Sequence, residues 1–428
     1  MRPAALSGIL VGVSEEDAEQ LNCMRIVRML LPWREQLDTA FGTSHGNADL
    51  KTIDVLIVML AAFFNPIARS HRCIEALSRQ EHLREQTGIA RVPKSTLFDA
   101  LRRFDPEQLH PLIEQLAARI PALGRRNADL EKITRQIVAA DGSYFALLGE
   151  AAWAMNSGRL RDDGTPRQDQ FRFNLQLDVQ SFSPVDCDIS GGDDNTEAKA
   201  FIRRLKPGVI YVADRNFVHY GFVNAVFAKD SNLVLRIKKS NTFRVESSRV
   251  MDDSDHAASV IADELGHLPG AQSEGNEDHR SFSDKPPTRL LRRVTVWDEK
   301  NQKPIILLTD LLDVPASVIG TIYRQRWQIE LFFKWLKCWA GLDQMISRDP
   351  KAITLQFYVA VIATLLLHLT TGRRPSKYSL MYLGWVSQGL IDWAGMEAGM
   401  AVVEREKELA QLRLKRKRLE KALAKISQ

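Results

Sequence analysis

Two short apolar runs, each ending on an aspartate, do most to narrow what this 428-residue chain can fold into. Ile137-Val138-Ala139-Ala140 leads into Asp141-Gly142-Ser143, and Val209-Ile210-Tyr211-Val212-Ala213 leads into Asp214-Arg215-Asn216-Phe217. Continuous apolar runs bounded by polar residues or Gly suit strands inside a sheet covered on both faces. Each aspartate is then held at the carboxyl end of its strand, at the sheet edge where open α/β sheets place their ligands. Taken singly, either aspartate could simply start a turn.

A third carboxylate lies in a different setting. From Tyr323 to Lys337 the chain reads Tyr-Arg-Gln-Arg-Trp-Gln-Ile-Glu-Leu-Phe-Phe-Lys-Trp-Leu-Lys, with Glu330 the one acidic side chain. On a helix Tyr323, Arg326, Glu330, Lys334 and Lys337 form a single polar stripe. Ile329, Leu331, Phe332, Phe333, Trp335 and Leu336 fill most of the remainder, so the helix should be buried on several sides and open along the stripe. A core helix with snorkelling basic heads and one salt-bridged Glu would read the same way. With the two aspartates, Glu330 completes three carboxylates from three separate elements. That is enough hard oxygen for two Mg²⁺ or Mn²⁺ ions, whose other ligands would be water and substrate phosphate oxygens.

Read in order, these elements resemble the DDE transposases of bacterial insertion sequences, and most closely the insertion-sequence-four family that includes the transposase of transposon five. The anchors are strand-Asp-Gly-Ser at Asp141, strand-Ala-Asp-Arg-Asn-Phe at Asp214, and Tyr-x-x-Arg-x-x-x-Glu-x-x-x-x-x-x-Lys from Tyr323 to Lys337. The third is the specific one, with Trp327 directly after the arginine. Pro304 to Leu311 resembles the strand and turn that precede the signature helix. The resemblance covers about residues 133 to 345.

The resemblance implies an α/β fold: a ribonuclease H-like catalytic core with a β-rich insertion, plus a helical N-terminal domain and a helical C-terminal tail. It implies two-metal phosphodiester chemistry, with Asp141, Asp214 and Glu330 as catalytic metal ligands for Mg²⁺ or Mn²⁺. Excision would follow a hairpin pathway in which Tyr323, Arg326 and Lys337 hold a phosphate near the transposon end, helped by Lys334. Trp327 would stack on a displaced base or pack in the core. The partners are transposon-end and target DNA, with the protein a homodimer on DNA and nucleoid-associated in a bacterial cytoplasm. Two other functions fit the same residues: a catalytically silent DNA-binding descendant, and a ribonuclease H-like nuclease that cuts without joining.

Domain boundaries are expected at 1–130 (helical, with a possible DNA-binding role), 131–375 (catalytic, with the insertion over about 222–315) and 376–428 (helical, with a possible role in dimerisation). Leu21–Leu31, Ile53–Phe64 and Ile74–Leu83 have helical spacing, and Ser95 offers an N-cap to Thr96–Arg103. These helices read equally as a helix-turn-helix or as a plain bundle. In the catalytic region Phe171 to Val179 alternates with Arg172, Asn174, Gln176 and Asp178, which predicts a half-buried strand. Val185 and Cys187 suggest the next strand, and a helix from about Thr196 to Leu205 precedes the Asp214 strand. Further strands are expected at Leu233–Ile237, Phe243–Val245, Arg293–Trp297 and around Ile305. Asp252 to Asp284 reads as a mobile loop whose carboxylates, like Asp162, Asp163, Asp193 and Asp194, are solvated.

The formal net charge is +5. Ala401 to Gln428 alone holds nine Lys and Arg against four Glu, also +5, so charges elsewhere cancel. DNA contact in the body of the chain would therefore depend on local clusters such as Arg203, Arg204 and Lys206, or Arg236, Lys238 and Lys239. In the tail Leu409, Leu412, Arg416, Leu419, Leu423 and Ile426 alternate spacings of three and four, which fits a short coiled coil or a basic amphipathic helix. Cys23, Cys73, Cys187 and Cys338 are far apart and lack metal-ligand spacing, so they read as thiols in a reducing compartment. Met1-Arg2-Pro3 opens no signal peptide. The apolar stretch Ala352 to Leu369 is interrupted by Gln356 and His368, and a span needs about 20 predominantly apolar residues, so no membrane is expected.

Overall fold

The structure, a computed structural model, describes residues 24–40, 51–64, 70–121, 130, 133–147, 151, 153–155, 169–191, 197–239, 241–269, 285–342 and 345–426. Asp162, Asp163, Asp193, Asp194 and the first residues of the Leu21–Leu31 run lie outside these. The chain divides into two compact units, Asp105–Leu365 on the one hand and Met1–Phe104 with Leu366–Gln428 on the other.

The described part of Met1–Phe104 is helical: α1 (Met24–Arg28), α2 (Arg34–Ala40), α3 (Thr52–Phe63), α4 (His71–Ser78), α5 (Glu81–Thr87) and α6 (Lys94–Arg103). Helix α3 is apolar all round and correspondingly buried from Ile53 to Ala62. The run Ile74–Leu83, expected as one helix, is split between α4 and α5. Helix α6 starts one residue ahead of the expected Ser95 cap, with Pro93 in the cap position. Proline there lacks only a donor that the first turn leaves unpaired.

The unit Asp105–Leu365 contains α7 (His110–Ala118), β1 (Ile137–Ala146), β2 (Gln170–Asp178), β3 (Ser183–Ser190), α8 (Glu197–Ile202), β4 (Ile210–Ala213), α9 (Tyr220–Ala228), β5 (Asn232–Ile237) and β6 (Arg244–Ser248). It continues with α10 (Asp253–Ala257), β7 (Val260–His267), β8 (Leu291–Asp298), β9 (Lys303–Thr309), α11 (Ala316–Gln325), α12 (Trp327–Cys338) and most of α13 (Pro350–Thr371). Among the described residues nine strands form one sheet in the order β3-β2-β1-β4-β5-β9-β8-β7-β6. β1, β2 and β3 are an antiparallel meander, while β4 runs parallel to β1, with Val138 opposite Tyr211, and β5 runs parallel to β4. Asp141 does not end its strand as expected, because β1 pairs with β2 as far as Ala146, but the parallel register sets it level with Asp214, which follows the last residue of β4.

Two expectations are corrected here, and the strands of the expected insertion join the same sheet. β5 pairs with β4 on one side and β9 on the other, so the core sheet simply continues. Strand β2 is buried on both faces rather than one: Arg172, Asn174 and Gln176 are 5%, 2% and 2% exposed. Helix α12 lies on the phenylalanine face of β1 and β2, and α8 packs on the same two strands, so the polar face is covered too. The stretch from Asp252 includes α10 and β7 before the described chain breaks at 269, and two of its carboxylates are not solvated. Asp255 is buried and accepts the Ser317 N–H at 2.8 Å, and buried Asp263 pairs with Arg292.

Among the described residues α13 is long and apolar enough to cross a membrane by length and composition, but 89% of that apolar window is buried inside the protein. Its Phe357 ring meets Phe145 and Phe173, each at 4.8 Å between centroids, which makes α13 a core helix. Beyond it come α14 (Lys377–Ser387) and the 34-residue α15 (Trp393–Ile426), on which Leu409 and Leu412 are exposed. Side chains of Leu419, Leu423 and Ile426 lie outside the described residues.

A polar cluster braces the edge strand β3. The Nδ1 of His110 is 3.1 Å from Asp186, and its Nε2 is 3.0 Å from the Tyr358 hydroxyl and 3.4 Å from Glu107. Burial works against charging this ring, yet hydrogen bonds with Asp186 and Glu107 outweigh it and hold its pKa above 6.5. The protonated form therefore stabilises the fold fully below the unfolded value, and that stability is lost as pH rises through the folded value. The melting temperature is expected to fall as pH is raised from 6.5 through that value, and His110→Gln should flatten the dependence. A slope unchanged in the variant would contradict this.

Candidate active site

Asp141 sits within β1 opposite Leu175, so it shares the face on which α12 packs. Its Oδ1 accepts the Gly142 N–H at 2.9 Å. Asp214 follows the last residue of β4 and caps a short 3₁₀ turn, Arg215–Phe217, by accepting the Asn216 N–H at 2.7 Å. Glu330 lies in the first turn of α12. The signature expected on one helix is divided between two. Arg326 is the cap residue between α11 and α12, and its dihedrals are helical. At that joint its guanidinium contacts Asp141 at 3.3 Å and Glu330 at 2.5 Å.

The electrostatics show how closely these groups are gathered. Burial pushes the Asp141 carboxyl up to about 6; Arg326 opposes the rise, while the charges of Asp214 and Glu330 add to it. Tyr323 is buried at 8% exposure, and its ring lies 5.9 Å from the Arg326 guanidinium. Burial raises its hydroxyl pKa, against the charges of Arg326 and Arg236. Thus Asp141, Asp214, Glu330, Tyr323 and Arg326 share one locale. Trp327, Lys334 and Lys337 are exposed on α12, with the Lys337 amine 4.8 Å from the Phe145 ring.

The donor set is oxygen only, which suits Mg²⁺ or Mn²⁺. Asp141 and Glu330 meet across Arg326, Asp214 acts on Asp141 through its charge, and among the described residues no three of His, Cys, Asp or Glu are grouped so as to hold one ion. Of the two basic clusters picked out in the sequence, Arg236, Lys238 and Lys239 join Arg215 around a pocket of about 180 Å³. The other is engaged in the fold: Arg204 pairs with Asp186 and Glu107, and Lys206 with Glu114.

One member of the site escaped the sequence reading. Glu197, the first residue of α8, has its carboxyl pushed up to about 7, first by burial and then by the charge of Asp141, with Asp214 adding and Arg172 opposing. It approaches over Gly142, whose absent side chain is what admits it. A Cβ there would stand 2.8 Å from Glu197 Oε1 and 2.7 Å from Arg172 Cδ. The sequence signal was slight, an acidic residue opening the helix between β3 and β4. Gly142→Ala is expected to displace both side chains while the protein stays folded and, for the DNA cleavage that the sequence resemblance implies, to lower the rate about a hundredfold, since misplacement by about 1 Å can cost that much. Circular dichroism alongside a cleavage assay checks it; wild-type cleavage would refute it.

This arrangement coincides with a family pattern. The pattern of the transposase DDE domain matches residues 128–366, more than half of the chain. The chain belongs to the DDE transposase family. It is 28% identical over 284 residues to a protein of Sinorhizobium fredii named as a transposase, y4zB, covering 63% of this chain and 74% of that protein. It is 28% identical over 116 residues to a Geobacillus stearothermophilus protein named as a transposase for insertion sequence element IS5377, covering 25% and 31% of the two chains. A 56-residue stretch is 45% identical to a Synechocystis protein named as a transposase for insertion sequence element IS4SA, covering 13% and 17%. The DDE match spans Asp141, Asp214 and Glu330, and also Glu197.

Proposed function

We propose that this DDE family member cuts DNA at transposon ends and joins those ends to target DNA, using Asp141, Asp214 and Glu330 as its catalytic, metal-holding carboxylates on a ribonuclease H-like core. The observation that carries this reading is Arg326 bridging Asp141 on β1 and Glu330 on α12, with the charge of Asp214 at the end of β4 acting on Asp141, all within the matched DDE region. Two bound Mg²⁺ or Mn²⁺ ions would supply activation of a water and stabilisation of the leaving 3′ oxygen. Asp141 and Asp214 are fixed by adjacent strands and Glu330 by a helix locked to the sheet, so the oxygen donors are positioned before substrate arrives.

Arg326 ties Asp141 to Glu330 and neutralises part of their mutual repulsion. Beside Tyr323, and with Lys337 and Lys334 further along α12, the guanidinium would offer its remaining donors to a DNA phosphate. Exposed Trp327 offers a stacking face to a displaced base. The pocket of Arg215, Arg236, Lys238 and Lys239 would follow the sugar-phosphate backbone. A homodimer holding two transposon ends, with α15 as a pairing element, and work at the nucleoid in the bacterial cytoplasm complete the proposal.

The test is incubation of the protein with labelled DNA carrying its own element's end, with Mg²⁺ and a target plasmid. Nicking that leaves a 3′ hydroxyl, then a hairpin, then joined product supports the proposal. Tight binding without cleavage would identify a silent DNA-binding descendant, and cleavage without joining a nuclease.

A further inference from the structure

We propose that the outer face of helix α6 reads DNA sequence in the major groove of the transposon end, with Phe98 against a thymine methyl and Lys94, Ser95 and Arg102 reaching neighbouring base edges. This rests on the reading that the chain acts at transposon ends, and it places the choice of sequence on a helix that carries none of the three carboxylates.

The division of the helix is the first ground. Helix α6 packs on α4 and α3, and Leu97, Ala100 and Leu101 on its inner side are 0%, 7% and 1% exposed. Lys94, Ser95, Phe98, Asp99, Arg102 and Arg103 are exposed. At 3.6 residues per turn, Lys94, Ser95, Phe98 and Arg102 fall within about 100° of the helix circumference. Three cations against the single acid Asp99 make the face complementary to a polyanion. A helix about 10–12 Å across fits the major groove, about 12 Å wide, where each base pair shows a distinct edge.

Phe98 is the second ground. It is 42% exposed in the middle of this cationic face. The ring is nevertheless fixed: His71 of α4 meets it edge-on at 5.9 Å between centroids, and the Arg102 guanidinium lies over it at 5.4 Å. An ordered apolar ring left open to water gains from contact with an apolar group, and in the major groove that group is the thymine methyl. The same stack orients Arg102, whose fork of donors suits guanine O6 and N7, while Asp99 suits the cytosine amino group.

The third ground is how firmly α6 is presented. Ser78 at the end of α4 and Val92 ahead of α6 are both 0% exposed, and the Ser78 hydroxyl accepts the Val92 N–H at 3.0 Å. Glu75 of α4 holds both Arg79, at 2.7 Å, and Arg91, at 3.2 Å. The segment leading into α6 is thus tied to α4 at two points, so little ordering is left to be done when DNA binds.

The experiment measures binding of the full chain, in EDTA so that no cleavage intervenes, to a labelled duplex of its own element's end and to a scrambled duplex of the same composition. Phe98→Ala is expected to lower the preference for the end about tenfold while binding to the scrambled duplex is unchanged. Replacing the end's thymines one at a time by uracil, which lacks only the methyl, should cost the wild type about fourfold at one position and cost Phe98→Ala nothing there. Arg103→Ala, at the rim of the face, should weaken both duplexes alike and lower the salt slope by about one. Preference retained in Phe98→Ala, or the lack of any thymine at which uracil matters, would overturn the role of α6 and leave the cutting and joining reading standing. A wild type with no preference for its own end would overturn both this site and action at transposon ends. Should Phe98→Ala fail to fold, the uracil series on the wild type decides: a loss at one thymine supports the contact, and none refutes it.

Discussion

Glu330→Gln is expected to lower strand cleavage at a transposon end by at least about a thousandfold while leaving the fold and end binding in place. Bound metals are worth several kcal/mol of transition-state stabilisation, and each 1.36 kcal/mol is a factor of about ten in rate, so loss of one ligand can remove roughly three orders of magnitude. Glu330 is half-buried and bonded to Arg326, and glutamine preserves its shape and one acceptor oxygen. What changes is the charge. Asp141→Asn and Asp214→Asn should show losses of the same order, and a double variant should lose little more than either single one, because residues that act as a unit are not additive. Single-turnover cleavage of end DNA with Mg²⁺ measures this, and a loss below tenfold in Glu330→Gln would remove Glu330 from the catalytic set.

The second large effect is on stability. Asp263→Ala should destabilise the unit Asp105–Leu365 by about 3–5 kcal/mol, because it leaves a buried charge without its counter-ion. Arg292 and Asp263 are both 2% exposed at the side chain, and they meet through two bonds of 2.7 Å between β8 and β7. The Arg292 guanidinium also donates to the carbonyls of Leu311, at 3.2 Å, and Val314, in the turn that delivers α11. That turn sets where Tyr323 and Arg326 arrive, so the pair links the far strands to the catalytic helices. At roughly 2–4 °C per kcal/mol for a unit of about this size, the melting temperature should drop by about 6–20 °C. Arg292→Met with Asp263→Leu should recover much of it, since an apolar pair of similar volume avoids burying charge. A drop of under about 2 °C in Asp263→Ala would refute the assignment.

How far the site was legible in the sequence depended on the range of the interactions involved. The strands bearing Asp141 and leading to Asp214 and the helix bearing Glu330 follow from apolar runs and helical spacing, which are local properties, whereas the extension of β1 past Asp141 to Ala146 depends on its pairing with β2. The break at Arg326 was not visible, because its dihedrals are helical on both sides and only the hydrogen-bonding pattern changes. β7 went unread because its solvated-looking acidic residues include Asp263, whose burial depends on an arginine 29 positions away. The polar face of β2 was taken for a solvent face for a similar reason: α8, which covers it, is distant in sequence from β2.

What the sequence by itself determined was the set of local elements and, through the order of three carboxylates and the tyrosine, arginine, glutamate and lysine spacing, the family. Only the tertiary structure decided which charges share a site. Parallel pairing of β1 with β4 aligned the two aspartates, the fold of α12 onto the sheet brought Arg326 between Asp141 and Glu330, and the missing side chain of Gly142 let Glu197 approach. The physical reason is that periodicity and propensity act within a few residues, whereas burial and Coulomb interactions act through space and acquire values only when distant segments have been brought together.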